Sequence, residues 1–221
     1  MCFSATASFS AAAVIGSIGA LTLRSAATKH DRRVLPLALF PVLFATQQLV
    51  EGFLWLDLAE PEPGMLRTIL IHAHQGYAQI FWPFFAPLAA FLIEPESLRR
   101  RLILLCLLVG VLLSAYMLMQ MIAHPYEAFV GSGHIVYKNG YKYPSVTIVL
   151  YVLVTTISLL LSSHKAVQLL AAAIFVGFAV AYISFHQARL SVWCFFAAAA
   201  SVLVYLCVSR TLKPNSLTRA S

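Results

Sequence analysis

The stretch LILLCLLVGVLLSAYMLMQMI, residues 102–122, decides the class of fold because it contains no charged residue. A helix needs about 20 predominantly apolar residues to cross a hydrocarbon core of roughly 30 Å. The whole chain of 221 residues is 61% hydrophobic and 10% charged, whereas a soluble domain carries about 25% charged residues. The sequence therefore predicts an integral membrane protein in contact with a lipid bilayer.

Further apolar runs on both sides of this stretch predict an all-α fold with seven transmembrane helices. The predicted spans are 4–23, 34–56, 68–93, 102–122, 145–163, 166–185 and 190–209. They use nearly the whole chain, so we predict a single transmembrane domain over residues 1–221. In the one sizeable connection, Asn139-Gly140 is flanked by β-forming residues, which predicts a small external β-hairpin between helices four and five. The hairpin is either a lid over a site or a plain surface turn.

The basic residues predict the orientation of the chain. Seven spans place eleven of the fifteen Lys and Arg on one side and four on the other. The positive-inside rule is then satisfied with the N-terminus outside and the C-terminus in the cytoplasm. Since these residues form no patch interleaved with exposed aromatic residues, the net charge of +7 indicates contacts with anionic lipid and not with nucleic acid.

Two distant stretches resemble each other and predict an internal repeat. HQGYAQIFWPFFA begins at His74 and HQARLSVWCFFA begins at His186. If the similarity reflects duplication, helices one to three correspond to helices five to seven, with the fourth as a linker. Such a 3+1+3 parallel repeat places a substrate site between the two halves. The alternative is chance similarity in apolar sequence, with His and Trp near helix ends as interface anchors.

The predicted topology gathers polar residues in the outer half of the membrane. A carboxylate within a span costs about 2.5 to 3.5 kcal/mol on insertion scales, and such residues usually face the bundle interior and mark a site. Glu51 is therefore the sharpest candidate; the alternative is a structural glutamate that is protonated or paired with Arg67 or Arg189. Together with a histidine titrating between about pH 5 and 8, it could couple ligand binding to a proton. The predicted ligand-binding residues are Glu51, Gln48, His74, Gln75, Trp82, His186 and Trp193.

The same outer region contains residue types that bind zinc or copper. The candidate metal ligands are His74, His186, Cys2 and Cys194. His72 and His74 point about 160° apart on a helix, so only one of them can face a given centre. For Cys2 and Cys194, a disulfide, a shared ligand role and two free thiols all remain open.

No catalytic motif is present: the chain lacks a Walker A sequence, a Gly-rich dinucleotide turn, HExxH and GxSxG. Three hypotheses for function therefore remain. The first is binding or transport of a small molecule or ion in an outward-facing polar pocket. The second is a zinc-dependent intramembrane hydrolase of a lipid-like substrate. The third is a non-catalytic subunit of a membrane complex, or a homo-oligomer, in which the polar residues join helices.

At MCFSATASF (1–9), QQLVEGFLWL (47–56), HIVY (134–137) and SVWCFFAA (191–198) the chain resembles a family of small bacterial multi-pass membrane proteins known only as a domain of unknown function. The opening MCFSA and the SVWCFF of the last span are the most specific of these segments. The resemblance covers essentially the full length. It implies seven spans in a bacterial inner (cytoplasmic) membrane, and it brings no activity, substrate or catalytic residue.

Overall fold

The computed structural model describes residues 4–28, 31–131, 133–184, 196 and 200–211. Helices dominate these ranges, with one small sheet. The helices are α1 Ala5–Ala27, α2 Leu35–Ala38, α3 Phe40–Asp57, α4 Met65–Gln75, α5 Trp82–Ile93, α6 Ser97–Ala123, α7 Ser145–Leu160, α8 Lys165–Ser184 and α9 Ser201–Leu206. The strands are β1 Glu127–Gly131 and β2 His134–Lys138.

Five helical segments are long and apolar enough to cross a membrane, which supports the predicted membrane fold. They are Ala5–Ala27, Arg32–Asp57, Met65–Ile93, Ser97–Ala123 and Lys165–Ile183. Helix α7 is apolar but has 16 residues, about 24 Å at 1.5 Å per residue. The predicted last span, 190–209, lies mainly outside the described residues. The number of seven spans therefore stays a prediction, and so does the 3+1+3 repeat.

Capping groups and prolines set where several helices begin. The Ser4 hydroxyl accepts a hydrogen bond from the Ala7 amide at 3.1 Å at the start of α1. Helices α2, α3 and α5 each carry a proline in their first turn, where a missing N–H group is tolerated. Helix α1 packs along α3, and α5 packs against both α6 and α7. These contacts place α3 and α5 in the interior of the bundle.

A proline inside α5 determines how closely α6 approaches it. Pro87 has no N–H group, so it cannot bond the carbonyl oxygen of Pro83 one turn earlier. Gly110 of α6 lies directly against that carbonyl, and a Cβ atom added to Gly110 would overlap the oxygen. The absence of a side chain at Gly110 therefore permits the close packing of α5 and α6.

The predicted hairpin is present, but the predicted position of its turn is wrong. Strands β1 and β2 pair antiparallel from Glu127 opposite Lys138 to Gly131 opposite His134. The chain reverses between these last two residues, and Gly133 has a φ of 75°, a left-handed conformation that glycine adopts without strain. Asn139-Gly140 follows β2 and does not form the turn. The chain thus reverses beside Gly131 and Gly133 and not at the Asn-Gly dipeptide.

A second buried carboxylate joins two loops at the end of the bundle away from Glu51. Glu94 is 2% exposed and follows α5, about 30 Å along its span from His74 at 1.5 Å per residue. Its carboxylate accepts hydrogen bonds from the amides of Ser163 at 2.7 Å and Glu96 at 3.2 Å. Burial acts to raise the pKa of Glu94, but these hydrogen bonds outweigh it, so the pKa lies below its ordinary value of 4.5.

Glu94→Gln is expected to destabilise the protein by about 1–3 kcal/mol, because amide hydrogen bonds to a charged acceptor are replaced by weaker ones. A carboxyl group whose pKa is lowered by folding stabilises the fold at a pH above its pKa in the unfolded state. This contribution is lost as the pH falls through the pKa of the folded state. The difference in the free energy of unfolding between wild type and Glu94→Gln should therefore be largest above about pH 5 and should decrease at lower pH. Unfolding midpoints of wild type and Glu94→Gln, measured from neutral to acidic pH, test this prediction. Glu96→Gln, at a carboxylate whose side chain is 52% exposed, is the control, and an equal loss there would contradict the assignment.

Candidate functional site

The candidate site begins with three polar side chains on one face of α3. Gln47 and Gln48 precede Glu51 by four and three positions, the spacings that bring side chains together on a helix. All three are buried, and Glu51 is fully inaccessible. Burying polar groups of this kind inside an apolar bundle costs free energy, so their presence indicates a role in binding or in packing. The predicted inward orientation of Glu51 is therefore consistent with the structure.

Helix α4 brings His74 against this face. The imidazole Nε2 of His74 lies 3.8 Å from Oε1 of Glu51, and neither side chain is exposed. This distance is close for charges but too long for a hydrogen bond. Among the described residues, neither ring nitrogen of His74 has a hydrogen-bond partner. His72, by contrast, is half-buried and bonds the Thr68 carbonyl of its own helix at 2.8 Å, so only one of the two histidines faces the site.

The helix changes geometry immediately after His74 and Gln75. Residues Gly76–Phe81 form a π-helical turn between α4 and α5. Within it the carbonyl of Ala78 accepts a hydrogen bond from the hydroxyl of Tyr151 on α7. Single π turns within α-helices occur frequently at functional sites. This turn therefore supports the assignment of a site at the junction of α4 and α5.

The external hairpin covers the buried pair. The ring of Tyr137 on β2 stacks on the His74 imidazole, with centroids 4.7 Å apart and planes 4° from parallel. Ile135 of the same strand is fully buried among Leu54, Leu70 and Ile71. The strand is thus held by an apolar contact on α3 and α4 while Tyr137 lies over the imidazole. This geometry favours the lid interpretation of the hairpin.

A chain of hydrogen bonds orients the amide of Gln75. The Gln79 amide nitrogen donates to Gln75 Oε1 at 2.6 Å and to the Tyr126 hydroxyl at 2.8 Å. The Tyr126 hydroxyl in turn donates to Gln79 Oε1 at 3.1 Å. Burial raises the pKa of the Tyr126 phenol, so it stays protonated and able to donate. The Gln75 oxygen thus accepts one hydrogen bond, and its buried amide nitrogen has no partner among the described residues.

Trp82, a predicted ligand-binding residue, packs in the apolar core and bonds one polar residue of α3. Its indole ring stacks on Phe44 with centroids 4.2 Å apart and contacts Phe40 edge-on. Its N–H group donates to Gln47 Oε1 at 3.3 Å. Trp82 therefore belongs to the apolar core below the polar residues and touches the site only through Gln47.

Arg67 does not pair with Glu51, which removes one of the structural explanations considered for that carboxylate. Its Nε donates to Asp57 Oδ2 at 2.7 Å, and its Nη2 donates to the backbone oxygens of Asp57 and Glu60. Arg67 therefore closes the loop between α3 and α4.

A separate groove of about 550 Å³ runs along these two helices, lined by Phe53, Leu56, Asp57, Glu60, Leu66 and Leu70. Neither Glu51 nor His74 lines it.

The remaining predicted site residues, Cys2, His186, Trp193 and Cys194, lie outside the described residues. Within the described part of the chain, no group of three or more His, Cys, Asp and Glu side chains is arranged to hold a metal ion. Of the predicted metal ligands, only His74 lies among the described residues. The zinc or copper site thus stays a prediction.

Sequence reasoning missed Gln79, Tyr126 and Trp55 as part of the polar cluster. Gln79 could have been found, because it follows Gln75 by four positions on the same helical face. Tyr126 lies in the loop before β1, where no periodic pattern points inward. Trp55 follows Glu51 by one helical turn, and its buried indole nitrogen has no partner.

Comparison with known proteins identifies the family of the chain but no activity. The chain belongs to a family of unknown function, DUF6629. The model of that family matches residues 1–219, which confirms the resemblance to an uncharacterised family. No curated protein and no solved structure matches the chain.

Proposed function

We propose that this protein binds a small molecule or ion from the outer side of the membrane, at the site formed by α3, α4 and the hairpin, as a receptor or transporter. The observation that carries the proposal is the fully buried imidazole of His74, 3.8 Å from Glu51, with neither ring nitrogen bonded by any of the described residues. A buried polar group without a hydrogen bond costs about 1–3 kcal/mol. A ligand that bonds the imidazole explains why it persists in an apolar bundle.

The hairpin supports a binding role over a purely structural one. Interhelical polar residues that only join helices bond each other directly, whereas the His74 imidazole receives no hydrogen bond from the described residues. Tyr137 covers the imidazole from a separate two-stranded element. Displacement of this strand would open the site without disturbing the packing of α3 against α1.

A panel of probes with different chemistry tests the proposal. Sodium acetate, acetamide, ethylammonium chloride and zinc sulfate are added separately to the purified protein, and thermal unfolding is followed by tryptophan fluorescence. We expect at least one probe to raise the midpoint, since a ligand at 100 times its Kd stabilises by about 2.7 kcal/mol. The shift should disappear in Glu51→Gln and in His74→Gln.

Glu94→Gln is the matched control, because it removes a buried carboxylate at the other end of the bundle. It should lower the midpoint without changing the shift caused by the probe. A shift by zinc alone would favour the metal-dependent hypothesis at the same pair. If no probe changes the midpoint, or if the shift survives in both site variants, the proposal is wrong and a structural subunit is the better interpretation.

A further inference from the structure

We propose that the groove along α3 and α4 binds one molecule of phosphatidylethanolamine, a lipid whose head group carries a primary ammonium. This site is separate from the one in the proposed function, because neither Glu51 nor His74 lines the groove. The inference follows from the apolar walls of the groove, from its charged rim and from the position of that rim at the ends of two helices.

The walls of the groove are apolar side chains from both helices. They are Phe53 and Leu56 of α3 and Leu66 and Leu70 of α4, and the first three of these are more than half exposed. The volume of about 550 Å³ lies within the range of about 300–1,000 Å³ for small-molecule sites. The walls therefore suit a hydrocarbon chain, which a bilayer supplies.

The rim of the groove carries an excess of negative charge. Arg67 Nε donates to Asp57 Oδ2 at 2.7 Å, so these two side chains neutralise each other. Arg67 also bonds Glu60, but through the backbone oxygen of Glu60 at 2.9 Å, and the Glu60 side chain is exposed. The connection 58–64 contains Glu60 and Glu62 and no basic residue. A cationic group is therefore the complement of this rim.

The rim is held in one arrangement before any ligand binds. Arg67 of α4 donates three hydrogen bonds to Asp57 and Glu60, which fasten the connection to the start of α4. Pro61 and Pro63 in the same connection each fix one backbone dihedral angle. A preorganised site loses less conformational freedom on binding, so the rim is suited to a specific head group.

The groove also matches the layers of a bilayer. Asp57 is the last residue of α3, and Met65 is the first residue of α4, so the rim lies where two apolar spans end. Charged side chains at such ends lie at the level of the lipid head groups. Phe53 and Leu70 lie about one helical turn further into the two helices. A lipid with its head group at the rim can therefore place a chain along the walls.

A primary ammonium fits this rim better than the other common head groups. It carries three N–H donors, as a lysine side chain does, and it can bond the Glu60 carboxylate, an interaction stronger than one between neutral groups. The quaternary ammonium of phosphatidylcholine has the charge but no donor. Phosphatidylglycerol has only the negative charge of its phosphate, which Glu60 and Glu62 repel. Arg67 in the same rim suits the phosphate of the ethanolamine lipid.

Native mass spectrometry of the purified protein tests this preference. The protein in detergent is mixed with equal amounts of the dioleoyl forms of phosphatidylethanolamine, phosphatidylcholine and phosphatidylglycerol, which share their chains and differ in head group. We expect one ethanolamine lipid per chain, with an occupancy about fivefold above that of either other lipid, the upper end for an exposed ion pair. Equal binding of the three lipids, or strongest binding of phosphatidylglycerol, would overturn the proposal.

Glu60→Gln tests the rim, because it keeps the shape of the side chain and removes its charge. The ethanolamine lipid should then bind no better than the choline lipid. Glu62→Gln is the matched control, since Glu62 is an exposed acid of the same connection that does not line the groove. This control should retain the preference. An equal loss in both variants would mean general attraction to an acidic surface, and the assigned site would be wrong.

Leu66→Trp tests the walls. Leu66 is 57% exposed, so a larger side chain there fills the groove without overpacking the core. We expect the bound lipid to be lost while the unfolding midpoint in lipid-free detergent stays unchanged. Met65→Trp is the control, because Met65 is 82% exposed and does not line the groove, and it should retain the lipid.

The same spectra also count the chains in each particle. A wild-type dimer without bound lipid that Leu66→Trp separates into single chains would show that a second copy of the protein occupies the groove, and it would overturn the proposal. Lipid binding by Leu66→Trp equal to that of wild type would overturn it as well. Neither result would affect the site at Glu51 and His74, which the four small probes test.

Discussion

Gly110→Ala is expected to destabilise the protein by about 2–3 kcal/mol and to reduce its accumulation in the membrane. The new Cβ atom would overlap the carbonyl oxygen and carbon of Pro83, which are backbone atoms and cannot turn aside as a side chain can. Overpacking of a well-packed interior costs about 1–3 kcal/mol. Thermal unfolding of the purified variant and the amount recovered in the membrane fraction measure the effect.

The sign of this change separates tertiary packing from helix propensity. Alanine is favoured over glycine in a helix interior by about 1 kcal/mol, so propensity alone predicts that Gly110→Ala stabilises α6. Gly64→Ala is the control, because a Cβ atom there meets nothing within 4 Å. A Gly110→Ala variant as stable as wild type would show that α5 and α6 separate easily and that the close approach is not needed.

The membrane character of the fold was predictable because it depends on composition along single segments. The run 102–122 is apolar over its whole length, and α6 extends it by only a few residues to Ser97–Ala123. The approach of α6 to α5 was not predictable in this way. It depends on Pro87 exposing the carbonyl of Pro83 and on Gly110 lying opposite, which is a coincidence of two helices and not a pattern in one.

The hairpin shows the limit of local signals. Its existence between the fourth and fifth predicted helices is confirmed, since β1 and β2 lie between α6 and α7. The Asn139-Gly140 signal for its turn is wrong, because pairing starts at Gly131 and His134 instead. A turn signal indicates where a chain can reverse. The pairing of β1 with β2 and the packing of Ile135 against α3 and α4 decide where it does.

The candidate site was predictable only in part for the same reason. Glu51 stood out because ionisable residues are rare within a span, and His74 because the predicted topology placed it at a similar depth. For Trp82, the sequence did not reveal its stacking on Phe44 in the core, and its role in the site stays a prediction. Gln79 follows the helical period from Gln75, but Tyr126 enters through a hydrogen bond to Gln79 from an element distant in sequence, which no helical period reveals.

Glu51→Gln is expected to leave the protein folded while removing the pH dependence of ligand binding between about pH 5 and 8, the range in which imidazole changes its charge. The amide keeps the shape of the side chain and cannot ionise. Titrations of the purified variant across this range, with the probe that raises the unfolding midpoint of the wild type, measure the effect. Unchanged pH dependence would mean that the proton is held elsewhere.

Coupling between Glu51 and His74 should be visible in stability as well. Removing either member of a buried polar pair leaves the other without that neighbour, which is more costly than removing both. We therefore expect Glu51→Gln and His74→Gln together to destabilise the protein by about 1–3 kcal/mol less than the sum of the single variants, as for residues in direct contact. Glu94→Gln combined with His74→Gln should be additive, because the two sites lie at opposite ends of one span. If Glu51→Gln fails to accumulate in the membrane while Glu51→Leu accumulates normally, the carboxylate has only a structural cost, and the binding site assigned to this pair is wrong.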